Sequence, residues 1–174
     1  SVSIYPAVTG IKITGNFPLP LIYLNGADNV SIDGRVNGQG TTSSLEINNL
    51  STALDKGTAT IKIENDATNF TLQYCLLKGS SLSSMDGIFT IGTTTQTGND
   101  QVLIANNSFT NGYNDSNKAP LNSIYIQSSL SGFESNNITI DNNLFFDNYN
   151  LSSSSSGYAI NIQSYNSNVT VSNN

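Results

Sequence analysis

The chain has 174 residues, of which 37% are apolar and only 10% are charged. This is one domain's worth of chain, and its net charge of −6 argues against a nucleic-acid backbone or an anionic membrane surface as partner. The sequence has no histidine, which excludes Ser–His or Cys–His catalysis and histidine metal ligands within it, and it has no apolar stretch long enough to span a bilayer.

The predicted elements begin with the strand-like residues Val2–Ile4, followed by residues 11–13, which we assign to an incomplete first coil. From residue 22 onward, three kinds of short apolar segment alternate. The first kind occupies residues 22–24, 61–63, 89–91, 124–126 and 160–162. The segment that comes third in each repeat is an apolar patch, which follows a corner rich in Asn and Gly. It is found at Val36, Leu76, Phe109 and residues 144–146. Asn and Gly tolerate left-handed backbone angles, which suits a sharp bend.

The second kind is a five-residue phrase, polar, apolar, small, apolar, polar, whose copies lie 40, 32, 36 and 31 residues apart. This alternation is typical of a strand with one buried face. The copies begin at Asn29, Asn69, Gln101, Asn137 and Asn168. We expect ten of their side chains to be buried, namely Val30, Ile32, Phe70, Leu72, Val102, Ile104, Ile138, Ile140, Val169 and Val171.

Three short strands per repeat predict an all-β chain, a right-handed parallel β-helix of about five coils. Its strands would stack at about 4.8 Å, with loops at residues 37–44, 51–57, 111–120 and 151–157. A β-sandwich also uses many short strands, but it does not require a recurring phrase and corner. Both chain ends fall within the repeat, so residues 1–174 are expected to be a single segment, truncated at both ends, of a longer β-helix.

Several polar residues are candidates for chemistry. Arg35, the only arginine, and Asp33 could form the base and calcium ligand of a polysaccharide lyase, or merely a corner ion pair. Glu64 and Asp66 are the closest acidic pair. Asp33 and Asp141 occupy equivalent places but lie several coils apart, too far for the paired carboxylates of a glycosidase. These observations predict no catalytic residue and no cofactor-binding residue in the segment.

Four aspartates among asparagines could supply oxygen ligands, so calcium is a candidate ion although the metal ligands stay unknown: Asp100, Asp115, Asp141 and Asp147. Cys75 lies in an apolar run and is expected to be a small buried side chain. The middle positions of the phrase form an outward column, which is not expected to be an ice-binding face because the coil lengths vary too much and Leu103 interrupts it. Four tyrosines in or near loops could stack on sugars or on a partner surface: Tyr113, Tyr149, Tyr158 and Tyr165.

Longer stretches of the chain resemble the parallel β-helix repeats of large secreted proteins of Bacteroidota. The resemblance covers residues 6–174, and its most specific parts are residues 20–38, 63–69, 74–80 and 93–100. Such proteins are adhesin-like or simply surface proteins, and they leave the cell by type IX secretion. The resemblance therefore implies an extracellular, cell-surface location.

Together these observations predict a non-catalytic β-helix segment of a long surface protein, acting as a stalk or adhesive module. The alternative is a polysaccharide-binding or polysaccharide-cleaving β-helix whose catalytic residues lie outside this segment. The expected partners are neighbouring repeats of the same chain or a surface or secretion protein, and glycans, but neither nucleic acid nor the membrane interior.

Overall fold

The chain winds into a parallel β-helix, as seen in a computed structural model that describes residues 1–54, 58–127, 129–151 and 157–174. The described residues contain sixteen strands arranged in three sheets. Every pairing between these strands is parallel. The predicted fold class is therefore confirmed. No helix in these ranges is long and apolar enough to cross a membrane.

Each coil contributes one strand to each sheet in turn. The first sheet contains β1 (Val2–Ile4), β4 (Val30–Asp33), β7 (Phe70–Gln73), β10 (Val102–Ala105), β13 (Ser135–Asp141) and β16 (Asn166–Ser172). The second contains β2 (Ile11–Gly15), β5 (Leu45–Asn49), β8 (Cys75–Gly79), β11 (Ser108–Asn111) and β14 (Leu144–Phe145). The third contains β3 (Ile22–Asn25), β6 (Ile61–Glu64), β9 (Phe89–Ile91), β12 (Asn122–Ile126) and β15 (Tyr158–Ile162).

The recurring phrase forms the first sheet in the expected register. Ile32, Leu72, Ile104 and Ile140 stack directly on one another and are all fully buried. Eight of the ten side chains expected in the core are buried; Val169 is half-buried and Val171 is 48% exposed. The prediction fails for these two because they lie in β16, which has a neighbouring strand on only one side in the structure.

Two expectations about strand placement are wrong. Val36 lies in a short 3-10 turn, Val36–Gly38, and the strand of that coil is β5. The intervening residues form an inserted loop, which closes where the N–H of Ser44 donates to the carbonyl of Gly34 at 2.7 Å. Residues 11–13 pair with β5 and so belong to the second sheet of a complete first coil. β1 pairs in register with β4 and is a further copy of the phrase.

The predicted left-handed backbone angles are present at the Asn corners that end the later coils, whereas the corner at Gly34 does not adopt one. The first residue of each phrase has a φ between 49° and 58°, at Asn29, Asn69, Gln101, Asn137 and Asn168. The corner after the phrase repeats this at Tyr74, Asn106, Asn142 and Asn173. The equivalent residue of an earlier coil is Gly34, where a Cβ atom would lie 1.9 Å from the Tyr74 carbonyl oxygen. Only glycine permits this close approach of two coils.

A ladder of asparagines holds the next corner position together. The side-chain oxygen of Asn107 accepts the N–H of Cys75 at 2.9 Å, and its amide donates to the carbonyl of Leu72 at 2.9 Å. Asn143 and Asn174 repeat this pattern one and two coils further on. Because these groups lie inside the coil, each asparagine satisfies backbone groups that would otherwise be costly to bury.

Candidate functional site

Two loops on the outer side of the second sheet enclose a groove of about 520 Å³. One loop follows β11 and includes the 3-10 turn Ser116–Lys118, and the other follows β14. The floor is formed by the outward-facing positions of β8 and β11, namely Leu76, Lys78 and Thr110. The groove therefore joins three successive coils, and no single repeat contains it.

The first wall is built around Tyr113. The side-chain amide of Asn111, at the end of β11, donates to the carbonyl of Asp115 at 2.7 Å, and its oxygen accepts the N–H of Tyr113 at 2.9 Å. The Tyr113 hydroxyl donates to the carbonyl of Leu50 at 3.0 Å. The ring is thus held at both ends, and Lys118 Nζ lies 4.5 Å from its centroid, a cation–π distance.

Asp115 has a structural role in the same wall. Its side chain accepts the N–H of Asn117 at 3.0 Å and so caps the 3-10 turn. Lys118 Nζ lies 4.0 Å from the Asp115 carboxylate, at the limit of an ion pair. The charge of Asp115 is therefore partly balanced within the loop.

The second wall presents Tyr149 to solvent because its two asparagine neighbours point inward. The amide of Asn148 donates to the Phe109 carbonyl at 3.1 Å and to the Ser123 hydroxyl at 2.8 Å. The amide of Asn150 donates to the Ala119 carbonyl at 2.5 Å. Anchors on both sides leave the Tyr149 side chain 73% exposed, and Phe146 nearby is 40% exposed.

The two walls are also linked to each other. The N–H of Leu151 donates to the carbonyl of Ser116 at 3.2 Å. Together with the bond from Asn150 to Ala119, this contact ties the second loop to the first. The groove is therefore a preformed feature of the folded chain.

Charges in the groove are balanced. The lining residues include one cation, Lys78, and two carboxylates, Asp115 and Asp147. Lys118 does not line the groove, but its Nζ lies 4.0 Å from the Asp115 carboxylate and offsets that charge. Among the described residues no carboxylate lies within 4.0 Å of Lys78 Nζ. The groove thus has no excess of either charge, although the whole chain is acidic.

Asp33 and Arg35 form the corner ion pair. Arg35 donates to the carboxylate from Nη2 at 2.6 Å and from Nε at 2.9 Å, and Gln73 donates to it at 2.8 Å. Burial pushes the Asp33 pKa up, but these hydrogen bonds outweigh burial and hold the pKa below its usual value. The hydrogen bond to Asp33 raises the Arg35 pKa, and the guanidinium lies 4.3 Å over the Tyr74 ring. This arrangement keeps Arg35 protonated and unsuited to act as a base.

Glu64 and Asp66 bind different partners in the structure. Glu64 faces outward on the third sheet, accepts the Tyr23 hydroxyl and pairs with Lys62 Nζ at 2.7 Å. Asp66 accepts hydrogen bonds from the N–H groups of residues 95–98 and from the Thr95 hydroxyl. Each carboxylate is occupied by its own partners, so the two do not form an acid–base pair.

The four aspartates considered for calcium are not brought together. Asp100 accepts the N–H of Asn136 at 2.8 Å, and Asp141 accepts the Ser172 hydroxyl at 2.7 Å. Asp115 and Asp147 line the groove. Within the described ranges no group of three or more acidic or cysteine side chains is placed to hold a metal ion.

Cys75 is 1% exposed, as expected for a small core side chain. Burial raises the pKa of its thiol to about 12, and the charge of Asp33 adds to this effect. The outward column of the first sheet is in register and includes Leu103 between Thr71 and Thr139. A leucine at its centre breaks the regular array of hydroxyls.

The structure divides the four tyrosines singled out in the sequence. Tyr113 and Tyr149 line the groove, whereas Tyr158 and Tyr165 are exposed elsewhere. The sequence did not predict Lys78 and Phe146 as site residues. The weak indication of their role was that each occupies an outward position next to buried strand residues. No protein-family model, no curated protein and no solved structure matches the chain.

Proposed function

We propose that the chain is a non-catalytic β-helix segment of a long extracellular protein at a bacterial cell surface, where it acts as a stalk and adhesive module. The observation that carries this proposal is that the strands of the three parallel sheets stack in constant register, whereas the loops between them vary in length. Register is kept across all sixteen described strands, while the repeat length varies between 28 and 40 residues. A constant scaffold with variable loops suits a spacer that also presents recognition surfaces.

The scaffold has the features of a stiff rod. Five stacked coils span roughly 25 Å at the spacing of β-strands. The core is continuous: Phe70 stacks on Phe89 across the interior at 5.7 Å, and Phe109 stacks on Phe145 of the next coil at 5.1 Å. Each coil contacts chiefly its neighbours, so length is added without changing the cross-section.

The state of the polar residues supports a non-catalytic role. Arg35 is held by Asp33, and Glu64 and Asp66 have separate partners. A general base needs a proton-accepting form at working pH, and Arg35, whose pKa is raised by its hydrogen bond to Asp33, has none. The alternative is a polysaccharide-cleaving protein whose catalytic residues lie outside this segment. It would be distinguished by those catalytic residues in the rest of its chain.

Surface labelling of the source cells tests the proposal. Antibodies raised against residues 1–174 should label intact cells, and external protease should remove the label. A strain that lacks type IX secretion should retain the antigen inside the cell. Labelling that appears only after lysis would contradict the proposed location and, with it, the stalk function.

A further inference from the structure

We propose that the groove between Tyr113 and Tyr149 binds a neutral glycan chain, with a sugar ring stacked on Tyr149 and its hydroxyls hydrogen-bonded to Asp147 and Asn114. This inference deepens the proposed function, on which its biological meaning rests, by naming the ligand class of the adhesive module. Its chemistry can be measured on the isolated chain.

The aromatic side chains point to a ligand with a flat apolar face. Tyr149 is 73% exposed although both of its neighbours are anchored, and Phe146 is 40% exposed beside it. Exposed rings held on a rigid frame lose little conformational entropy when a ligand covers them. The C–H face of a pyranose provides such a surface, and its rim of hydroxyls keeps the same ligand soluble.

The polar side chains divide into those that build the groove and those that remain available. Asn111, Asp115 and Asn148 are used in hydrogen bonds that shape the loops. Asp147 and Asn114 are exposed and have no side-chain hydrogen bond to the rest of the described chain. A carboxylate accepts hydrogen bonds from adjacent hydroxyls and an amide both donates and accepts, which is the pattern that a sugar requires.

The balance of charge selects a neutral glycan. Lys78 is the one cation that lines the groove, beside the Asp115 and Asp147 carboxylates, and Lys118 behind the wall offsets Asp115, so the groove gives an acidic polysaccharide no net attraction. The chain's net charge of −6 adds a long-range repulsion toward polyanions, including nucleic acids. The volume of about 520 Å³ lies within the roughly 300–1,000 Å³ of small-ligand sites, which suits a short stretch of a glycan chain.

Isothermal titration calorimetry on residues 1–174 tests the inference. The probes are four neutral hexasaccharides, namely cello-, manno-, xylo- and chitohexaose, with hexagalacturonate as the acidic comparator. At least one neutral probe should bind. Tyr149→Ala should weaken that binding about tenfold, as expected when a stacking ring worth about 1.4 kcal/mol is lost. Asp147→Asn should weaken it by a smaller factor.

Tyr165→Ala is the matched control, because Tyr165 is 56% exposed and lies outside the groove. It should leave the affinity unchanged, and all three variants should melt with the parent chain. The inference is overturned if no neutral probe binds at millimolar concentration, if hexagalacturonate binds more tightly, or if Tyr149→Ala and Tyr165→Ala have equal effects. Such a failure would leave surface labelling unaffected, so the two proposals fail separately.

Discussion

Replacing Ile140 by alanine tests the facing of the first sheet most directly. Ile140 is fully buried in β13, where it stacks between Ile104 and Val171. The substitution removes three buried carbon atoms and leaves a cavity, which costs about 2–5 kcal/mol for Ile→Ala in a core. Val171 is 48% exposed, so one side of the cavity can relax, and the lower part of that range, about 2–3 kcal/mol, is expected.

The assay is equilibrium denaturation followed by circular dichroism. For a domain of this size the loss corresponds to a fall in Tm of roughly 4–12 °C. Thr139→Ala is the matched control, since Thr139 faces outward and should cost less than about 0.5 kcal/mol. Ile104→Ala, with fully buried neighbours on both sides, should cost more than Ile140→Ala. Equal losses for Ile140 and Thr139 would refute the assigned facing.

Four further outcomes follow. Hydrogen bonds from residues 95–98 outweigh burial and lower the Asp66 pKa to about 2. Because this pKa lies below the value in the unfolded chain, the ionised Asp66 should stabilise the fold fully above pH 4 and lose that effect as the pH falls toward 2. Amide exchange at residues 95–98 should become faster over the same range. Asn143→Ala should cost about 1–3 kcal/mol by unfolding titration, because it orphans the buried Asn107 N–H. Native Cys75 should resist a thiol reagent at pH 8 that labels the unfolded chain fully. Pectin, alginate and glucan should not be cleaved, with or without calcium; cleavage lost in Arg35→Ala would contradict this.

The first sheet could be predicted because its strands follow a left-handed corner residue without interruption. The phrase then appears at a fixed place, and its two apolar residues must both face the core. β5 could not be predicted in the same way, since an inserted loop separates it from its corner at Gly34. Val2–Ile4 could be predicted as a strand but not as a copy of the phrase, because Ser1 stands where the other copies begin with Asn or Gln.

The groove could not be predicted from the sequence, for a different physical reason. Tyr113 and Tyr149 could be identified as loop tyrosines, but their proximity depends on hydrogen bonds between loops of successive coils. The spacing of the repeats along the sequence does not predict which loops contact each other. Lys78 reaches the same groove from a strand one coil earlier, so three separate stretches of sequence meet only after the coils have stacked.

Asparagine side chains explain how this fold is held together with so few charged residues. At Asn106 and Asn142 it adopts the left-handed corner conformation; at Asn107 it satisfies buried backbone groups of the neighbouring coil; at Asn148 it anchors a loop to the scaffold. Each role uses a neutral side chain and so avoids the desolvation cost of a charge, and the Asn107 amide donates and accepts at once. Because these contacts fix the corners and loop bases, loop tips such as the one carrying Tyr149 can vary in sequence while the register of the coils is kept.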